Sequence, residues 1–176
     1  MKRITVIPYD PLWAQEFARA SREIAVAMGG NLLEIHHIGS TAIPGIHAKP
    51  VIDMLAIVCD IVRVAEHAAP IESLGYEVMG EFGIVGRRYF RRDNAAGERT
   101  HQVHTFQNGS SDIPRHLAFR DFMRTHPAFA NQYAQLKQSL ADAHPNNIEA
   151  YMDGKDHFIK QMEIQALAWA AVRGKN

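Results

Sequence analysis

The sequence predicts an α+β fold in a single domain spanning residues 1–176, with a mixed β-sheet, flanking helices and a helical C-terminal part from about residue 113. Three observations carry this. Runs rich in β-branched and apolar residues, LLEIHHI, VIDMLAIV and THQVHTF, alternate with Gly- and Pro-punctuated loops before residue 113. Beyond Pro114 the apolar residues recur at helical spacing. No Gly/Ser linker, low-complexity tract or internal repeat separates the two parts, so the helices are expected to pack on the same core as the sheet. A length of 176 residues with 47% hydrophobic content suffices for one such core.

Taken in order, Tyr9-Asp10-Pro11 starts a helix, with Asp10 as N-cap and Pro11 in its first position, and Gly29-Gly30 ends it. Leu12, Phe17, Ile24 and Met28 approximate its apolar stripe. LLEIHHI (32–38) reads as a strand, GSTAIPGIHAKP (39–50) as a loop, and VIDMLAIV (51–58) as a largely buried strand. IVRVAEHAAPIESLGY (61–76) predicts a helix that Gly75 ends and that Pro70 should break or kink. YEVMGEF (76–82) and IVGRRYFRR (84–92) read as strands, DNAAGE as a turn, and THQVHTF (100–106) as the returning strand of a hairpin. Three helices follow, divided by Pro127 and by Pro145-Asn146-Asn147.

Nineteen basic and nineteen acidic residues cancel, so the overall balance attracts neither nucleic acid nor an anionic membrane, and any polyanion must be met locally. The lone Cys59 excludes an internal disulfide. MKRITVIPYD lacks the apolar run of a signal peptide, and VIDMLAIVC falls far short of the roughly 20 residues of a membrane span. A cytoplasmic location is expected; nothing in the chain sets the oligomeric state.

Asp53 is the chemical anomaly. Strand alternation places Asp53, Leu55 and Ile57 on one face and Ile52, Met54, Ala56 and Val58 on the other, so the carboxylate sits among apolar neighbours. An acid there needs a cation, a metal or backbone donors. Either a basic side chain or loop holds it structurally, or it belongs to a site. Gly39-Ser40 ahead of it offers backbone N–H groups and a hydroxyl, the makings of an anion nest, and Lys49 adds a point charge. Asp53, Ser40 and Lys49 are therefore the candidate catalytic set, with Gly39, Ser40 and Lys49 as phosphate binders.

A Gly-Ser after a strand, a spacer of about a dozen residues and a strand carrying an Asp resembles the core signature of the nucleotidyltransferase superfamily. More closely, HIGSTAIPGIHAKPVIDM, GRRYFRR, THQVHTF, HLAFRDFMRTHP and AYMDGKDHFI, from about residue 34 to 160, resemble the GrpB family, classed as nucleotidyltransferase-like. The resemblance implies that fold, a nucleotide or phosphorylated small molecule in a groove, and metal binding at Asp53. Similar domains occur fused behind dephospho-CoA kinase, which implies a nucleotide or coenzyme A context. Working nucleotidyltransferases place a second carboxylate two residues after the first to hold two magnesium ions. Leu55 stands there in this chain, excluding that Asp pair. Three readings remain: a metal-dependent nucleotidyl or phosphoryl transferase working with one ion, a catalytically inactive binding or regulatory module, and a structural role in which the groove is incidental.

For one divalent ion, His104 is the favoured partner of Asp53, because His101 points to the other face of its strand. Carboxylate with imidazole suits zinc or manganese better than magnesium; the alternative is a histidine bonded within the core. GRRYFRR splits by alternation into Arg87 with Arg91 and Arg88 with Arg92, and one pair is expected at the groove. Arg88 and Arg91, with Arg120 and Lys155, are the further candidates for ligand contact. Tyr151 and Lys155, like Tyr133 and Lys137, lie one helical turn apart, and the second couple is expected to be solvated. His37 is placed to orient the Gly39 loop. His116 and the remaining histidines are expected at the surface or in packing.

Overall fold

The run 51–58 lies where its composition sends it, at the middle of a sheet. In the computed structural model, which describes residues 3–174, strands β1 (Leu32–Ile38), β2 (Ile52–Val58), β3 (Glu77–Val78), β4 (Arg88–Asp93) and β5 (Arg99–Gln107) form one mixed sheet in the order β1-β2-β5-β4-β3. The first two and last two residues of the expected 1–176 domain lie outside the described residues. β1 and β2 run antiparallel, β2 and β5 parallel, and β5, β4 and β3 antiparallel. Helix α1 (Leu12–Met28) and the short α2 (Ala68–Ser73) cover one face. There Ile52, Met54, Ala56, Val58, Phe90 and Val103 pack with Trp13, Ala20, Ile24, Met28 and Ile71.

Helices α3 (Asp112–Thr125), α4 (Pro127–Ala143) and α5 (Ile148–Arg173) make the C-terminal part. α3 meets the second face, where Ile113 and Leu117 pack on Ile38, Leu55, Ile57 and Phe106. The three helices share a further core built around Phe122, Met123, Tyr133, Met162 and Ala166, joined by Ile43 and Ile46 of the 39–50 loop. The sheet thus has helices on both faces, and its second face is closed only in part, leaving a cleft between the β2–β5 seam and α3, α4 and α5. Among the described residues no helix is long and apolar enough to cross a membrane.

Several local expectations change in detail. Asp10 caps α1, its Oδ1 accepting from the Leu12 N–H at 2.9 Å, but the buried stripe runs through Trp13, Ala20, Ile24 and Met28 while Leu12 is exposed. The helix expected over 61–76 is a 3-10 turn (Val62–His67) followed by α2. Pro70 falls in the first turn of α2, where its missing N–H has no intrahelical partner to lose. The strand expected over 76–82 shrinks to Glu77–Val78, because the chain turns through left-handed conformations at Gly80, Phe82, Gly83 and Gly86.

Candidate functional site

The register of β2 sets the site. Asp53 pairs with Ile38 of β1 and Gln102 of β5, and Leu55 pairs with His36 and His104. Asp53 therefore comes level with the end of β1, where the chain turns at Gly39. Gly39 has φ +70°, and a Cβ there would lie 2.4 Å from Asp53 Oδ2, so only glycine lets this backbone rest against the carboxylate. Ser40–Ala42 then form a 3-10 turn. It is braced from behind: Thr41 Oγ1 donates to the Val51 carbonyl at 2.9 Å and lies 3.0 Å from His37 Nε2. Since the hydroxyl proton goes to Val51, His37 Nε2 donates to Thr41. His37 stacks on Phe17 with ring centroids 4.8 Å apart, which fixes the ring that orients the loop.

This turn forms one lip of a cleft of about 310 Å³. Gly39, Ser40, Lys49, Asp53, His104 and Lys155, six of the residues singled out in the sequence, line it together. Burial pushes the Asp53 carboxyl up to about 6, against the opposing pull of Lys155 and Lys49. Burial also lowers both ammonium groups, and Asp53 pulls each back up. The two lysines lie over the same Tyr151 ring, Lys155 Nζ 5.0 Å and Lys49 Nζ 5.8 Å from its centroid.

Tyr133 and Lys137, expected at the surface, are instead buried and line the same cleft. Tyr133 stacks on Phe158 of α5 at 5.5 Å. Lys137 Nζ donates to the His47 carbonyl at 2.7 Å and lies 4.4 Å from the Tyr133 ring centroid. Burial brings its ammonium down to about 7. A signal for this was present: Ala130, Tyr133, Ala134, Lys137 and Ala141 follow i, i+3, i+4, i+7 and i+11 spacing, which puts Lys137 on the buried stripe of α4. Arg115 and His116 also line the cleft. Arg115 donates to Glu163 at 2.6 Å and to Asp112 at 3.0 Å, so α3 and α5 are tied at the rim.

The expected arginines stand elsewhere, each satisfied by the protein. Arg88 pairs with Glu81 at 3.7 Å and Arg91 with Glu77 at 2.6 Å. Arg92 lies on the α1 face, near His101, Glu16 and Glu23. Arg87 donates to the Glu81 and Phe82 carbonyls and to His104 Nδ1 at 3.2 Å. Arg120 bonds Asp121 and the His37 carbonyl. None of them lines the cleft. Alternation along GRRYFRR assigned faces, but the acids waiting at Glu77 and Glu81 lie on a segment whose path only the folded chain reveals.

The residues around Asp53 do not fit a divalent cation. Leu55 is fully buried among Ile38, Ile57 and Phe106. A guanidinium has only donors, so His104 Nδ1 accepts from Arg87 and the ring proton sits on Nε2, the atom a metal would need. Burial together with His116 and Arg87 drives that imidazole down to about 3. The charges acting on Asp53 are those of Lys155, Lys49, Arg99 and Lys137, all of which repel a cation. Among the described residues no three His, Cys, Asp or Glu side chains are grouped to hold a metal.

The family model described as GrpB protein matches residues 3–165. The chain belongs to the GrpB family. It is 42% identical over 175 residues to the UPF0157 protein YqkA of Bacillus subtilis, a match covering 99% of this chain and 50% of YqkA, so this chain spans about half that relative's length. A dephospho-CoA kinase of Mycobacterium tuberculosis is 26% identical over 189 residues, covering 94% of this chain and 46% of the kinase. The crystal structure of the conserved protein GrpB from Enterococcus faecalis superposes with a TM-score of 0.90 at 44% identity, over 94% of this chain and 99% of that one. Cid1 poly(U) polymerase with MgGTP bound gives a TM-score of 0.53 at 10% identity, over 75% of this chain and 43% of Cid1. At that identity the likeness concerns the fold alone. The GrpB fold of this chain is α+β and nucleotidyltransferase-like.

Proposed function

We propose that this GrpB-family chain is a binding module for a nucleotide or other phosphorylated small molecule, held in the cleft between the β2–β5 seam and the C-terminal helices. The observation that carries this reading is the convergence of Lys49, Lys137 and Lys155 with the Gly39-Ser40 turn on one cleft, where Glu163 is paired with Arg115 and the Asp53 carboxylate is left to oppose the lysines. Desolvated ammonium groups gain most from an anion brought into contact with them, because the low-dielectric walls leave the attraction unscreened. Phe119, Tyr133 and Tyr151 supply apolar walls for the rest of the ligand. Leu55 favours a module over a transferase, since it packs as core where a second metal-binding carboxylate would have to stand. The partial similarity to dephospho-CoA kinase puts coenzyme A precursors among the compounds to try first.

Thermal unfolding against a panel of nucleotides and coenzyme A precursors, each with and without magnesium, manganese or zinc, tests this. A ligand of the native state at a hundred times its Kd stabilises by about 2.7 kcal/mol. The expected outcome is a raised midpoint with at least one phosphorylated compound, without turnover of it. A panel with no shift removes the binding reading; turnover that requires metal replaces it with the transferase.

A further inference from the structure

We infer that the cleft takes its ligand as a free phosphomonoester dianion, with the ammonium groups of Lys49 and Lys155 in the electrostatic role that divalent cations play in nucleotidyl transfer. This rests on the phosphate-binding reading above and specifies the ligand's chemistry. Four basic side chains (Lys49, Lys137, Lys155 and Arg115) and two acids (Asp53 and Glu163) line the cleft, a net of two positive charges once Lys137, which burial brings down to about 7, is held protonated by an incoming anion. Glu163 is spoken for by Arg115 at 2.6 Å, so the three lysines against Asp53 are what an incoming anion meets. A phosphomonoester carries about −1.5 to −2 charges at pH 7 and matches that surplus.

A triphosphate does not match. Its extra charge is normally carried by magnesium, which is held by one or two carboxylates as well as by the phosphates. Here Leu55 fills the second carboxylate position, and two ammonium groups stand over Tyr151 beside the first. Lysine presents a compact point charge with three donors, which serves a tetrahedral phosphate without fixed geometry. The volume agrees: about 310 Å³ is at the small end of ligand cavities, which run from roughly 300 to 1,000 Å³. Gly39 keeps the turn against Asp53, so the turn and the lysines face the same cleft.

Isothermal titration of the wild-type chain with inorganic phosphate, and separately with ATP, in excess EDTA and in excess magnesium, tests the inference. Phosphate is expected to bind with the same Kd, within about twofold, in both buffers. Lys49→Met and Lys155→Met should each weaken it about tenfold, equivalent to about 1.4 kcal/mol. Asp53→Asn should bind phosphate as well as wild type or more tightly, because the variant loses a repelling charge. A metal-bridged site demands the reverse, so phosphate binding that needs magnesium and vanishes in Asp53→Asn overturns the inference. Binding of magnesium-ATP without binding of phosphate also overturns it and leaves the proposed function standing. Silence with both probes overturns the inference and leaves the proposed function to the ligand panel, and the wild-type buffer comparison decides even if a variant fails to fold.

Discussion

Leu55 occupies the side-chain direction two residues beyond Asp53, and Ile38, Ile57 and Phe106 enclose it together with Ile113 and Leu117 of α3. A carboxylate placed there would be desolvated among apolar side chains. Leu55→Asp is therefore expected to destabilise the fold by about 3–5 kcal/mol, the range for an uncompensated buried charge. It should add no affinity for magnesium or manganese. Leu55→Met, which conserves volume, should cost less than about 1.5 kcal/mol. Urea unfolding of both variants, with a metal titration of the first, checks this; a stable Leu55→Asp protein that gains metal affinity would show the position to be an open, vacated ligand site. Asp53 itself differs from Leu55 in one respect that matters: its neighbours at the cleft are lysines and a glycine backbone, so it stays where Leu55 could not be replaced.

The C-terminal helices decide what the sheet can hold, and α5 contributes Tyr151, Lys155 and Glu163 to the cleft. Its start is set by Asn147, whose Oδ1 accepts from the Ala150 N–H at 3.1 Å. Pro145-Asn146-Asn147 thus does two jobs, ending α4 and capping α5. Asn147→Ala should cost about 1 kcal/mol of stability by leaving that N–H without its side-chain partner, and Asn147→Ser should restore most of it. Denaturant melts of the two variants give the comparison. Equal losses in both would mean that the side-chain oxygen is not the source of the cap. Tyr151 sits one turn beyond the cap, its N–H donating to the Asn147 backbone carbonyl at 3.1 Å, and Lys49 and Lys155 lie over its ring.

For the whole molecule, acid is the sensitive variable. Burial, helped by nearby arginines, lowers His37, His101 and His116 to about 4, and burial with His116 and Arg87 lowers His104 to about 3. These rings are neutral in both states above pH 6.5. Below it the unfolded chain takes up protons that the native state refuses, so stability falls as pH drops from about 6.5 towards about 4. Asp53 runs in the opposite sense: with its carboxyl raised to about 6, the native state takes a proton before the unfolded chain does and recovers part of the loss. Four groups against one leave a net uptake on unfolding approaching three protons, each worth about 1.4 kcal/mol per pH unit. Unfolding free energies measured by urea at pH 7.5, 6 and 5 should fall steeply below pH 6.5, and His104→Asn should reduce the slope by about one proton. A flat profile over that window would mean that the native rings are protonated.

What the sequence by itself determined is everything that depends on local pattern. The apolar run with one acid predicted β2 as a central strand, alternation put Asp53 and Leu55 on one face, and Gly39-Ser40 with Lys49 marked the place where that acid meets a turn. Helix boundaries at Pro127 and Pro145 were equally plain, because proline and caps act within a few residues of themselves. Tertiary structure alone decided which distant charges meet. Arg88 and Arg91 turned to Glu81 and Glu77 because the chain between 78 and 88 folds back through its left-handed turns, and Lys137 turned inward because α4 packs on α5 and the His47 carbonyl accepts a hydrogen bond from it. Periodicity tells a side chain which face it is on; only packing across the chain supplies the partner that makes burial of a charge there tolerable.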